Sequence, residues 1–149
     1  MPDRIRINDE IIVGAQPSEA ELKAMADGKT KSVINLRTED EEMQPISPEE
    51  EGRIAGELGL EYVSIPVSME KADAELVDRF CKELKTVAKP VFVHCRLGKR
   101  AGAFVMMDQA VQKGMSGKNA IQAAEDMGFE CDQEALAAFV KDYVNERTS

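Results

Sequence analysis

The sequence has 149 residues, 43% hydrophobic and 32% charged, a size and balance expected of one domain that builds its own core. Its 28 acidic against 19 basic residues give a net charge of −9, so no bulk positive field draws in nucleic acid or anionic membrane, and neither is an expected partner. Nothing repeats and no Gly-, Ser- or Pro-rich linker divides the composition, so residues 1–149 are read as a single domain.

The opening Met1-Pro2-Asp3-Arg4-Ile5-Arg6 has no apolar leader core, and no stretch approaches the ~18–20 apolar residues of a bilayer span. A cytoplasmic location is expected. Ile11-Ile12-Val13 reads as a strand, broken by Gly14-Ala15-Gln16-Pro17, and Ser18-Glu19-Ala20-Glu21 has the form of a helix capping box. Asp27-Gly28 closes that helix, and Ser32-Val33-Ile34-Asn35-Leu36 forms a second strand. Between Thr38 and Glu51 lie Glu39, Asp40, Glu41, Glu42, Glu49, Glu50 and Glu51, with Pro45 and Pro48 and no basic residue. The segment reads as a solvated acidic loop running into a helix, whose first turn favours carboxylates. It has no calcium-loop pattern.

Gly52 to Leu60 is expected to be helical with a break at Gly59, and Glu61 to Val67 alternates as a strand that Pro66 places at an end or edge. Leu76, Val77, Phe80, Leu84 and Val87 recur at helical spacing after Asp73, until Lys89-Pro90. Val91-Phe92-Val93 has the continuous apolar character of a strand covered on both faces. A helix carrying Ala101, Phe104, Val105, Ala110 and Val111 then runs to Gly114, and Ser116 and Asp132 are candidate caps for two more. The pattern predicts an α/β fold: a three-layer sandwich with a short, mostly parallel central sheet flanked by helices, and an all-helical C-terminal third.

The segment His94-Cys95-Arg96-Leu97-Gly98-Lys99-Arg100-Ala101 joins the buried strand to a helix N-terminus. A side chain at the carboxyl end of a parallel strand enters the crevice where open α/β sheets bind ligands. The unpaired N–H groups of the turn and first helical residues converge there on an anion. The same groups, with Arg96, Lys99 and Arg100, favour a thiolate at Cys95. Arg96, Leu97, Gly98, Lys99 and Ala101 are therefore candidate substrate-binding positions around a nucleophilic Cys95. His94, adjacent on a strand, points to the opposite face and is read as support for the loop rather than as a base. Cys81 and Cys131 read as packing residues. Three widely spaced cysteines fit reduced thiols, and with one histidine no zinc site is expected.

On these residues the sequence resembles the cysteine-dependent protein tyrosine and dual-specificity phosphatases, and more closely the bacterial phosphatase-like domains attached to beta-lactamase-like hydrolases. The resemblance runs through Gly14-Ala15-Gln16-Pro17-Ser18, Val33-Ile34-Asn35-Leu36-Arg37, Glu61 to Ser68 and the loop from His94 to Ala101. It implies attack of Cys95 on phosphorus, stabilisation of the equatorial oxygens by loop amides and Arg100, and hydrolysis of a thiophosphoryl enzyme without metal or other cofactor. The implied substrate is a phosphorylated one, phosphotyrosyl or aryl.

Two departures stand out. The phosphatase pattern has five residues between Cys and Arg, whereas four separate Cys95 from Arg100, and Ala101 takes the sixth place. Either the loop is tighter or Arg100 leaves its helix turned by ~100°. The aspartate expected as leaving-group acid falls near Ser68 or Met69, which makes Glu70 the candidate acid and leaves Asp73 as a helix cap. A loop of the form Cys-Arg-x-Gly-x-Arg also resembles rhodanese-type sulfurtransferases. That resemblance implies a Cys95 persulfide and a sulfane-sulfur substrate, with no need of an acid. A binding module for anions or phosphopeptides is the third reading. Arg37 and Gln16 both follow strands at the same sheet end, where they either line the site or serve surface salt bridging and turn hydrogen bonding.

Overall fold

The computed structural model describes residues 4–39, 41, 44–68, 71–128 and 134–148. Among these residues eleven elements follow in order: β1 (Arg4–Arg6), β2 (Ile11–Gly14), α1 (Glu19–Asp27), β3 (Ser32–Asn35), α2 (Pro48–Glu57), β4 (Glu61–Ser64), α3 (Ala74–Thr86), β5 (Val91–His94), α4 (Lys99–Gln112), α5 (Gly117–Asp126) and α6 (Glu134–Thr148). The sheet order is β1-β2-β5-β3-β4, parallel except for β1, which pairs antiparallel with β2 at the edge. The fold is thus the α/β sandwich expected, with β5 at the centre.

Strand alternation divides the core into two layers. Val33 and Phe92 pack with Leu22 and Met25 of α1 and Ile54 and Ala55 of α2. Their strand neighbours Ile34, Val91 and Val93 face the other way, into a larger core built with Phe80 and Leu84 of α3, Phe104 and Val105 of α4, and Val140 and Val144 of α6. Helix α4 lies inside this larger core, with Ala101, Gly102, Phe104, Val105, Met106, Met107 and Ala110 buried around it. Covered along most of its length, α4 has no continuous polar stripe; its polar residues Lys99, Arg100, Asp108, Gln109 and Gln112 lie toward its two ends.

The starts of α1, α2, α3 and α5 each have a local cause. Ser18 and Glu21 form the reciprocal capping box of α1, and Asp73 caps α3 by accepting the Leu76 amide at 2.9 Å. Ser116 caps α5 in the same way. Helix α2 corrects the expected boundary: it begins at Pro48 rather than Gly52, because Ser47 caps it and Pro48 opens its first turn. The strand expected over Glu61 to Val67 ends at Ser64, although the Ile65 and Val67 amides still donate to the Asn35 and Leu36 carbonyls; Pro66 between them turns its nitrogen away from β3, as this edge strand allows. β1 is an addition; three residues with one buried side chain, Ile5, give too short a pattern to register in the sequence. Among the described residues, no helix is long and apolar enough to cross a membrane. Cys131 and Asp132 lie outside the described residues.

Candidate active site

The parallel strands β2, β5 and β3 end together, and the site lies beyond their carboxyl ends. Alternation sends consecutive residues of β5 and its exit to opposite layers: Phe92 and His94 to the side of α1 and α2, Val93 and Cys95 to the side of α4. Cys95 is 1% exposed. Its Sγ accepts the Gly98 amide at 3.1 Å and the Ala101 amide at 3.5 Å, so the first turn of α4 directs backbone dipoles at the sulfur. Gly98, the N-cap of α4, has φ 96°, a left-handed conformation that a side chain disfavours. The turn can be this tight because residue 98 has no Cβ.

The remaining loop residues take distinct places. Leu97 is 59% exposed, the one large hydrophobic side chain that stands out in solvent among the described residues. Arg96 is exposed, and its carbonyl accepts the Gln16 amide at 3.2 Å, tying the loop to the turn after β2. Lys99 opens α4, half-buried. Glu70 lies outside the described residues, so the structure gives the candidate acid no position. Cys81, half-buried on α3, sits 4.0 Å from the Tyr143 hydroxyl. Burial and the nearby Asp108 carboxylate push its thiol up to about 12.

Arg100 is turned toward the loop after β3. Its Nη1 donates to Glu41 Oε2 at 2.6 Å and to the Val67 carbonyl at 2.9 Å, while Nη2 donates to Glu41 Oε1 at 2.8 Å. Burial opposes the charge of Arg100, but the Glu41 carboxylate and the Cys95 sulfur beside it outweigh this and raise its pKa. Burial alone would raise Glu41 too. Hydrogen bonds from Arg100 and the Thr38 amide, with the charges of Arg100 and Arg37, instead hold it at about 2.

Two carboxylates correct the reading of the acidic segment as solvated. Glu41 is bound by two guanidinium groups, since Arg37 Nε also donates to its Oε1 at 3.1 Å. Glu51 is fully buried, with Oε2 2.6 Å from His94 Nε2 and Oε1 accepting Gln16 Nε2 at 2.7 Å. His94 Nδ1 lies 3.3 Å from the Cys95 carbonyl. His94 thus reaches both the loop backbone and α2. Arg37 is buried rather than a surface salt-bridge residue, and its Nη1 donates to Gln16 Oε1 at 3.1 Å. Sequence reasoning missed Glu41 and Glu51 as site residues. For Glu51 a signal was present: with Ser47 as cap, Pro48, Glu51, Ile54 and Ala55 fall on one helical face, the face that packs on the sheet. For Glu41 no local pattern separates it from its acidic neighbours.

A cysteine beneath the amides of a strand-to-helix loop, on a mostly parallel sheet, defines the cysteine-dependent phosphatase class of fold. Solved structures share it: a DUF442 protein of Shewanella putrefaciens has a TM-score of 0.80 at 21% identity, covering 99% of this chain and 94% of its own. TpbA of P. aeruginosa, solved in complex with phosphotyrosine, has a TM-score of 0.75 at 19% identity, covering 98% and 90%. In sequence, a beta-lactamase hydrolase-like protein of Agrobacterium fabrum is 26% identical over 152 residues, covering 97% of this chain and 35% of that protein. The chain therefore spans about a third of the length of that curated relative. Residues 4–142 match the model of the dual-specificity and tyrosine phosphatase domains described as "DSP-PTPase phosphatase fused to NAD+ Kinase", and the chain belongs to that family.

Proposed function

We propose that this chain hydrolyses phosphomonoesters, phosphotyrosyl or other aryl phosphates, with Cys95 as nucleophile. The observation that carries the reading is the pair of amides, from Gly98 and Ala101, aimed at Cys95 Sγ. Such donors stabilise a thiolate before substrate binds and the equatorial phosphoryl oxygens as it reacts. The Cys95 thiolate attacks phosphorus, an S–P bond forms, and the P–O bond to the leaving group breaks. Water then attacks the thiophosphoryl enzyme, releasing inorganic phosphate and restoring the thiolate. Arg100 supplies the positive charge at the equatorial oxygens, so the reaction is assigned no metal.

Glu70 is the proposed proton donor to the leaving group, on sequence grounds alone. An aryl leaving group needs this proton least, and the exposed Leu97 at the loop tip offers an aryl ring an apolar surface. The expected result is metal-independent turnover of a chromogenic aryl phosphate, blocked by vanadate and abolished by Cys95→Ser. Absence of turnover from pH 5 to 8 contradicts the reading. The shortened loop is the observation that favours sulfur transfer instead, and under that reading the Cys95 thiolate attacks the outer sulfur of thiosulfate, the thiosulfate S–S bond breaks, sulfite leaves and a persulfide stays on Cys95. Anion binding that survives Cys95→Ser, with no covalent species from either substrate, would identify a binding module.

A further inference from the structure

With four residues between Cys95 and Arg100, the guanidinium leaves α4 about one residue, or roughly 100°, out of the expected phase. The structure shows where it goes. Both hydrogens of Nη1 are taken up, by Glu41 Oε2 and the Val67 carbonyl, and Nη2 uses one of its two on Glu41 Oε1. These bonds leave two donors, the Nε–H and the second Nη2–H, which lie on one edge of the planar group. Glu41 thus grips the terminal fork of Arg100 and spares its lateral edge.

A carboxylate on a loop arginine has two opposite meanings. It is an internal competitor that substrate must expel, or a fixture that orients the arginine. The bonds around Glu41 decide for the fixture. Besides Arg100, its oxygens accept from the Thr38 amide at 2.7 Å and from Arg37 Nε at 3.1 Å. Arg37 has a side chain only 1% exposed, so expelling Glu41 takes a carboxylate away from a buried guanidinium, a costly change. Arg37 is in turn held by Gln16, Gln16 by Glu51, and Glu51 by His94, whose Nδ1 faces the Cys95 carbonyl. The chain of contacts begins beside the nucleophile's sulfur and returns to its own backbone.

We infer that Glu41, seated by Arg37, is the positioning residue that compensates the shortened loop: it holds Arg100 by its terminal fork so that the Nε–Nη2 edge faces an oxyanion above Cys95. The inference rests on the proposed phosphatase reading for its kinetic consequence, but its binding consequence stands apart from turnover. An arginine released from its anchor misplaces a two-point contact with the anion, and such misplacement costs roughly 10- to 100-fold.

The test compares wild type, Glu41→Gln and Glu41→Asp, with Glu49→Gln, an exposed neighbour on α2, as control. Two readouts are taken: calorimetric titration with inorganic phosphate, and kcat and KM for an aryl phosphate. Expected are phosphate binding weakened about tenfold or more in Glu41→Gln, a fall in kcat of roughly 10- to 100-fold, and an unchanged Glu49→Gln. Tighter phosphate binding or a lowered KM in Glu41→Gln identifies a competitor and overturns the inference, as does unchanged binding. If Glu41→Gln fails to fold, Glu41→Asp, which keeps the charge but withdraws it by one methylene, is read by the same criteria. If wild type binds phosphate but hydrolyses nothing, the hydrolase reading fails alone, and weakened binding in the variant still supports the anchor. A wild type that binds no phosphate overturns both.

Discussion

Lys99 and Arg100 open α4 side by side, and the bonds that Arg100 makes to Glu41 and Val67 require donors diverging from a planar group. A lysine ammonium carries the same charge but cannot grip a carboxylate at two points while presenting a second edge to an anion. Arg100→Lys is therefore expected to lower kcat/KM for an aryl phosphate by about 100-fold or more, and Lys99→Ala by less than about tenfold. Steady-state kinetics on the two variants checks this, and equal small effects contradict the role given to the guanidinium. At the same scale, Glu41 and Glu51 show why parts of the site were hidden. Cys95, Gly98 and Arg100 stand together within six residues of sequence, so their chemistry can be read locally. Their carboxylate partners come from the loop after β3 and from α2, and a charge run looks the same whether water or a guanidinium meets it.

At the scale of elements, the parts with strong local rules were legible: the capping box of α1, the apolar run of β5, the heptad-like spacing of α3 and the cap at Asp73. The continuous apolar run of β5 already implies cover on both faces of the sheet, whereas the division of its residues between two cores is visible only in the structure. The start of α2 is not legible because its cap and first turn, Ser47-Pro48, lie inside the acidic run, where a Pro-containing charged segment fits a loop as well as a first helical turn. The contact of α5 with α6 was not legible at all. There Gly117 lies so close to α6 that a Cβ would meet the Lys141 carbonyl oxygen at 2.6 Å and its Cα at 2.7 Å, and the Gly117 amide donates to Asn145 Oδ1 at 2.8 Å. Backbone cannot yield as a flexible side chain can, so Gly117→Ala should cost about 1–3 kcal/mol. Gly56, in α2, has nothing within 4 Å of its would-be Cβ, and Gly56→Ala should gain about 0.5–1 kcal/mol. Denaturant midpoints of the two variants should move in opposite directions; a shared direction contradicts the close approach of α5 and α6.

For the whole molecule, titration fixes the pH range of stability. Glu41, with its carboxyl held at about 2, and Asp78, lowered chiefly by hydrogen bonds from Arg147 and Tyr143, are more acidic folded than unfolded. Their stabilisation is present above the unfolded carboxylate values near ~4 and is lost as pH falls toward the folded ones. Cys81 sets the other edge: its thiol, pushed up to about 12, stabilises the fold below the unfolded cysteine value of ~8.5 and loses that contribution as pH rises toward 12. The net charge of −9 works against the acid edge, because protonation relieves self-repulsion, but at physiological salt that repulsion is screened beyond ~8 Å while the Glu41 contacts are direct. Melting temperature should therefore be highest between about pH 5 and 8 and fall on both sides, and a higher value at about pH 3.5 than at 7 contradicts the assignment. The most direct measurement is made at the nucleophile. Rapid acid quench of wild type turning over an aryl phosphate, followed by mass spectrometry of the peptide containing Cys95, should reveal one phosphoryl group on that cysteine. A peptide that stays unmodified under aryl phosphate yet gains one sulfur from thiosulfate would contradict phosphoryl transfer and assign the loop to sulfur instead.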